Sequence, residues 1–157
     1  MDKTKILFVC LGNICRSSSA EGIMKKMLKE RGLENQFQID SAGILNYHEG
    51  NLPDNRMRAH AIQRGYDLNS RSRPVKYNDF YDFDLIIGMD DRNISDLKGL
   101  APDSNSLEKI HRMTDYCSIF DIDHVPDPYY GGAEGFELVL DILEDACEGL
   151  ISRQVDE

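Results

Sequence analysis

Cys10 and Arg16 bracket five residues, Leu11, Gly12, Asn13, Ile14 and Cys15, and Ser17, Ser18 and Ser19 follow directly. A loop of that length can curl until successive backbone N–H groups converge on one point. Gly12 and Asn13 suit the curl because both tolerate positive φ. Closed by the N-terminus of a helix, such a nest holds a tetrahedral oxyanion. The planar fork of Arg16 can take two of the anion's oxygens at once. The same positive field favours Cys10 as a thiolate, and a thiolate beneath a bound phosphate is a nucleophile aimed at phosphorus. Ser17 can hydrogen-bond the sulfur and ease its later departure.

A route through phosphocysteine also needs a proton for the leaving oxygen, hence a carboxylic acid near the loop. Asp127, in the stretch HVPDPYYGG, is the candidate. Pro126 and Pro128 stiffen the chain around it, Tyr129 and Tyr130 can wall a pocket with rings, and Gly131 and Gly132 let the backbone turn away. Taken singly, each residue has a plainer reading: a small buried hydrophobe for Cys10, a surface cation for Arg16, a turn former for Asp127. The context of a strand before, Gly-Asn within, and hydroxyls and a helix after favours phosphoryl chemistry.

These side chains need a scaffold. Ile6 to Val9 reads as a strand buried on both faces. From Ser17 to Gly32 the pattern predicts a helix, with Ser17 or Ser18 as cap and Glu21 in its first turn. Ala20, Ile23, Met24, Met27 and Leu28 form one face of it, and Gly32 stops it. Phe37 to Asp40 is a short second strand, completing a parallel βαβ unit. A helix over 55–64, a buried strand over 83–89, a short helix over 90–97, a strand over 109–113 and a long closing helix over 133–152 follow. The alternation predicts one doubly wound α/β domain, residues 1–157, with about four parallel strands. Ligands of such folds sit outside the carboxyl ends of the strands, where Cys10 falls. The loops over 43–53 and 115–132 are long for a compact domain, which marks them for function.

The chain has 157 residues and a formal net charge of −10, which argues against nucleic acid or an acidic membrane surface as main partner. A small anion remains compatible, since local donors act within a Debye length of roughly 8 Å. Cys10, Cys15, Cys117 and Cys147 show neither zinc-ligand nor disulfide-framework spacing, and His48, His60, His111 and His124 are scattered. No metal and no cofactor are expected. No segment approaches the ~20 apolar residues of a membrane span, so a cytoplasmic protein is expected.

The motifs VCLGNICRS, SAG at 41–43, GMDDRN at 88–93 and DPYYGG at 127–132 together resemble the low-molecular-weight protein tyrosine phosphatases, in order and spacing over nearly the whole chain. The resemblance implies a three-layer, flavodoxin-like sheet in the order 2-1-3-4. It implies a phosphocysteine intermediate on Cys10, transition-state stabilisation by Arg16, and Asp127 as general acid and then general base. Leu11, Gly12, Asn13, Ile14, Cys15 and Ser17 would hold the substrate, with Tyr47, Tyr129 and Tyr130 as pocket walls. Asn13 would hold the loop's strained turn in one network with Ser17 and Ser41, and Arg73 matches a structural arginine. Cys15 either fills space under the loop or, by the resemblance, forms a reversible disulfide with Cys10. The implied activity is metal-independent hydrolysis of phosphotyrosine monoesters in proteins or peptides, releasing phosphate, by a monomer or weak dimer. The chain departs from the family's habit at Ser18, where proline is common, at Tyr47, where tryptophan is common, and at Ser70, where a histidine often supports the loop asparagine.

Three rivals are weaker. An arsenate reductase of the same fold needs a resolving cysteine pair in mid-chain, and YDFDLIIGMDDRN has none. A relative that dephosphorylates arginine tends to carry threonine at the position of Ile14. A phosphopeptide-binding module without turnover would be expected to lose Cys10 or Asp127.

Overall fold

The computed structural model describes residues 2–128 and 132–155. Four parallel strands, β1 (Thr4–Cys10), β2 (Phe37–Gly43), β3 (Leu85–Gly88) and β4 (Ile110–Arg112), form one sheet in the order β2-β1-β3-β4. This is the order the resemblance implies. Side chains alternate across a strand, and β1 is apolar on both faces. Ile6 and Phe8 pack with Ala20, Ile23, Met24 and Leu28 of α1 (Arg16–Glu30) and with Phe136, Val139, Leu140 and Leu143 of α6 (Ala133–Val155). Leu7 and Val9 face the other way, onto Phe80 of α3 (Asp79–Asp82), Phe83 and Leu97 of α4 (Asp91–Leu100). Helices thus cover both faces of the sheet in three layers. α2 (Asn55–Gln63) contributes Met57 and Ala61 to the first core, and α5 (Ser104–Glu108) precedes β4.

Three differences from the sequence reading have local causes. β2 runs on through Ser41, Ala42 and Gly43, poor strand formers that pair in register with Phe8, Val9 and Cys10. A Cβ on Gly43 would lie 3.0 Å from the Leu11 carbonyl oxygen, so only glycine lets β2 pass this close to the loop after β1. The short helices α3 and α5, and the 3-10 turns Glu34–Gln36 and Met113–Tyr116, fall below the length at which periodicity is legible.

The expected serine cap is the third difference. α1 begins at Arg16 with Cys15 in the capping position and no side-chain cap. Ser18 Oγ donates back to the Cys15 carbonyl at 3.2 Å, and Ser17 Oγ is turned to the Cys10 sulfur. Among the described residues, no helix is long and apolar enough to cross a membrane.

Candidate active site

Cys10 is the last residue of β1, delivered to the carboxyl edge of the sheet. The carbonyls of the loop after it are engaged on the outside. Those of Cys10 and Leu11 accept from the Ile44 and Leu45 amides, at 3.0 and 2.9 Å. Gly12 accepts from Ser72 Oγ at 3.0 Å, and Ile14 from the Asp54 amide at 2.9 Å. The Cys15 carbonyl accepts from Ser19 N and Ser18 Oγ. A trans peptide points its N–H opposite to its C=O, so these outward carbonyls turn the following amides inward. The Asn13 amide does reach the Cys10 sulfur, at 3.3 Å. Asn13 sits at φ 58°, the left-handed conformation that asparagine tolerates better than most residues.

The Asn13 side chain is held on both edges. Its Oδ1 accepts from the Arg73 amide at 3.1 Å, and its Nδ2 donates to Ser17 Oγ at 2.8 Å and to Ser41 Oγ at 2.9 Å. Ser17 Oγ stands 3.0 Å from Cys10 Sγ. Arg73 is itself clamped between Asp40 on β2 and Asp79 on α3, each within 3.0 Å. Burial acts to lower the Arg73 pKa, but the two carboxylates more than offset it and the net shift is upward. Ser70, at the position where the family carries histidine, lines a separate groove along α1 and β2; the loop is supported by Ser72 and Ser41 instead.

Arg16 is 4% exposed. Its Nη1 donates to Asp90 Oδ2 at 2.7 Å and to the Val125 carbonyl at 3.1 Å, while Nη2 lies 3.8 Å from Asp127 Oδ2. Burial opposes the charge, yet the Cys10 and Asp90 charges carry the guanidinium pKa upward. Asp90, part of the GMDDRN motif, was given no role at the site from sequence. It follows the β3 end, caps α4 through the Asn93 amide, and pairs with an arginine 74 positions earlier. Burial would raise its pKa, but the Arg16 hydrogen bond and the Asn93 amide hold its carboxyl below the usual range. The signal for it was the acidic pair directly after the GM of a buried strand.

Cys10, Leu11, Gly12, Ile14, Cys15, Arg16, Leu45, Tyr47, His48 and Asp127 line one cavity of about 230 Å³. Tyr47 stands at its mouth, 80% exposed, and Asp127 is 40% exposed. Leu45 and His48 were not singled out from sequence. Tyr129 and Tyr130 lie outside the described residues. Cys15 is buried in the core beside the loop, and burial, with the charges of Asp54 and Cys10 adding to it, pushes its thiol pKa far up. Cys10 and Cys15 are both free thiols.

The arrangement offers an inward-facing amide loop, a buried guanidinium, a thiol at the base of a cavity and a carboxyl at its rim. The family model described as low molecular weight phosphotyrosine protein phosphatase matches residues 5–157. The low molecular weight protein-tyrosine-phosphatase of Bacillus subtilis is 40% identical over 148 residues, covering 94% of this chain and 93% of that one. A crystal structure of a protein tyrosine phosphatase from Entamoeba histolytica, with Hepes in its active site, superposes with a TM-score of 0.95 at 48% identity and covers 98% of each chain. The Drosophila arginine phosphatase is also similar, with a TM-score of 0.90 at 32% identity over 96% of this chain and 98% of that one.

Proposed function

Because the chain belongs to the low molecular weight phosphotyrosine protein phosphatase family, we propose that it hydrolyses phosphotyrosine monoesters in proteins or peptides, with Cys10, Arg16 and Asp127 as the reacting machinery and residues 1–157 acting as one catalytic domain. The observation that carries this reading is the surroundings of Cys10 Sγ. Ser17 Oγ lies 3.0 Å away and the Asn13 amide 3.3 Å away, and Cys10 shares its cavity with Arg16 and Asp127.

In the first step the Cys10 thiolate attacks phosphorus, an S–P bond forms and the P–O bond to the tyrosine ring breaks. Asp127, protonated at this stage, delivers its proton to the departing phenolate oxygen. The loop amides and the Arg16 guanidinium hold the equatorial oxygens as charge spreads over them. In the second step the Asp127 carboxylate takes a proton from water, the water oxygen attacks phosphorus, and the S–P bond breaks to return the thiolate and release phosphate. The Ser17 hydroxyl, hydrogen-bonded to the sulfur, stabilises the thiolate as it leaves. Ile14, Leu11 and Leu45 give the cavity apolar walls and Tyr47 an aromatic rim, which suits a phenyl ring.

The test is hydrolysis of an aryl phosphate by the wild type and by Cys10→Ser, without added metal. Turnover confined to the wild type is the expected result. A Cys10→Ser protein that still turns over, or a wild type that needs metal, sinks the thiol mechanism. Phosphoarginine hydrolysed as fast as phosphotyrosine would remove the aryl preference.

A further inference from the structure

We infer that Glu21 is a positioning residue for Cys10, acting through four hydrogen bonds that run from a groove along α1 to the sulfur; the inference rests on Cys10 being the nucleophile. The Glu21 side chain is 6% exposed, a buried carboxylate for which the chemistry above has no use. Its Oε1 accepts from Ser41 Oγ at 2.6 Å, and its Oε2 pairs with Lys25 at the edge of a groove of about 430 Å³. From Ser41 the bonds continue to Asn13 Nδ2, from Nδ2 to Ser17 Oγ, and from Ser17 Oγ to Cys10 Sγ.

The direction of the three bonds from Glu21 to Ser17 is set by groups that cannot reverse. The Arg73 amide can only donate, and it faces Asn13 Oδ1. The amide nitrogen of Asn13 therefore faces both serines and gives one proton to each. Each hydroxyl, already accepting from Asn13, must send its own proton elsewhere. Ser41 sends its proton to Glu21, because a carboxylate only accepts. Ser17 has the sulfur at 3.0 Å and the Ala42 carbonyl at 3.4 Å; with Cys10 as the thiolate nucleophile the sulfur only accepts, and Ser17 donates to it.

Glu21 is what keeps Ser41 turned with its lone pairs to Asn13. Removing the carboxylate leaves the buried Ser41 hydroxyl without an acceptor for its proton, and free to turn away from Asn13 Nδ2. The Asn13 backbone is held in the left-handed region by this same side chain, and its amide is the second donor to the sulfur. Both donors to Cys10 thus depend on a residue that touches neither the sulfur nor the cavity around it.

The experiment is alkylation of Cys10 by iodoacetamide at pH about 6, followed by mass spectrometry of the Cys10 peptide, alongside kcat and KM for an aryl phosphate with a good leaving group. Iodoacetamide is small and uncharged and needs neither Arg16 nor Asp127, so its rate reads the thiolate alone. Glu21→Ala is expected to slow alkylation and kcat together by about tenfold, with KM changed less than about threefold. Glu21→Gln, whose amide oxygen still accepts from Ser41, should restore most of both rates. Should Glu21→Ala fail to fold, Ser41→Ala removes the same acceptor from Asn13 while keeping the Glu21–Lys25 pair, and the same fall is expected. Wild-type alkylation rates in the folded variants overturn the role of Glu21. Turnover that survives Cys10→Ser overturns the nucleophile instead, so the two failures are distinguishable.

Discussion

The cavity is assembled from two regions built to opposite standards. The loop over residues 10–17 is buried or half-buried, its carbonyls are bonded to the segments flanking β2 and α2, and its asparagine is held on both edges. The segment over 117–128 that brings in Asp127 runs along the surface, with Ile119 80% exposed. Two sets of bonds anchor it. The Asp145 carboxylate on α6 accepts the amides of Ser118, Ile119 and Phe120, and Val125 is fixed by its amide on the Met89 carbonyl and its own carbonyl on Arg16. The difference matches the tasks that the proposed mechanism gives the two regions. Holding an anion whose charge shifts over three oxygens needs donors that do not reorganise. Giving a proton in one step and taking one in the next needs a carboxyl in reach of both the substrate oxygen and water.

Arg16 belongs to both regions, so changing it tests the distinction most severely. Arg16→Lys keeps a charge but loses the fork that bonds Asp90 and Val125 on one edge and leaves the other for phosphate. The expected loss in kcat is on the order of 10³-fold or more. Hydrogen exchange should also speed up at the Val125 amide and not at the Ile44 and Leu45 amides that bind the loop carbonyls. Equal loosening of both regions would mean that they form one unit.

Asp127→Ala removes the carboxyl of the second region, together with its 3.8 Å pairing to Arg16 Nη2. The carboxyl is 40% exposed, so stability should change by no more than about 0.5 kcal/mol. With a poor leaving group such as phenol the first step should slow by about 10²- to 10⁴-fold, and with a good one by far less. A uniform loss across leaving groups would remove Asp127 from the acid role and assign the proton to another group.

The same contrast decides what could be read from the amino-acid sequence. Cys10, Arg16 and the loop between them are contiguous, and the strand before and helix after carry strong patterns, so the loop and its place at the sheet edge were legible. Four strands and their order were legible too, the order through resemblance of the motifs. What stayed hidden lies across the sheet. Asp90 meets Arg16 only because β3 lies beside β1, with Val9 opposite Gly88. Glu21 was expected in the first turn of α1 but stands in the second, because the helix begins at Arg16, and its partner Ser41 is 20 residues on and reached through β2. The serine cap was misread because helix rules assign hydroxyls to the helix's own amides. Here the sulfur and the Cys15 carbonyl are the nearer partners.

Asp145→Asn weakens the far anchor of the second region. One amide oxygen replaces two carboxylate oxygens that together accept three backbone amides, and the NH2 would face a donor. A loss of roughly 1.5–3 kcal/mol is expected at pH 7 in urea unfolding. Burial acts to raise the Asp145 pKa, but the Phe120, Ser118 and Ile119 amides outweigh it and the net shift is downward. A carboxyl depressed in the folded state stabilises fully above its unfolded value of about 3.9 and loses that contribution as pH falls through the folded value. The wild type should therefore approach the variant in stability toward pH ~2, with the gap widest at neutrality. A gap of equal size at both pH values would mean that the charge is irrelevant and only the shape of Asp145 matters.

Cys15 gives the smallest effect and the finest cut within the first region. It lies five positions from Cys10 in the same loop, yet burial pushes its thiol pKa up, and the proposed attack on phosphorus does not use it. Cys15→Ala deletes one buried atom, so a loss of about 1 kcal/mol and a change in aryl phosphate turnover below about threefold are expected. Its contribution should emerge only under peroxide, which converts the Cys10 thiolate to a sulfenic acid. Condensation with the Cys15 thiol then forms the disulfide and releases water, and a thiol reductant returns both cysteines. In Cys15→Ala the sulfenic acid has no such partner and is carried on to the sulfinic acid, so activity recovered by reductant should be lower than in the wild type. Equal recovery in the two proteins, with no Cys10–Cys15 link by mass spectrometry, would leave Cys15 as packing beneath a loop that needs only one of its two thiols.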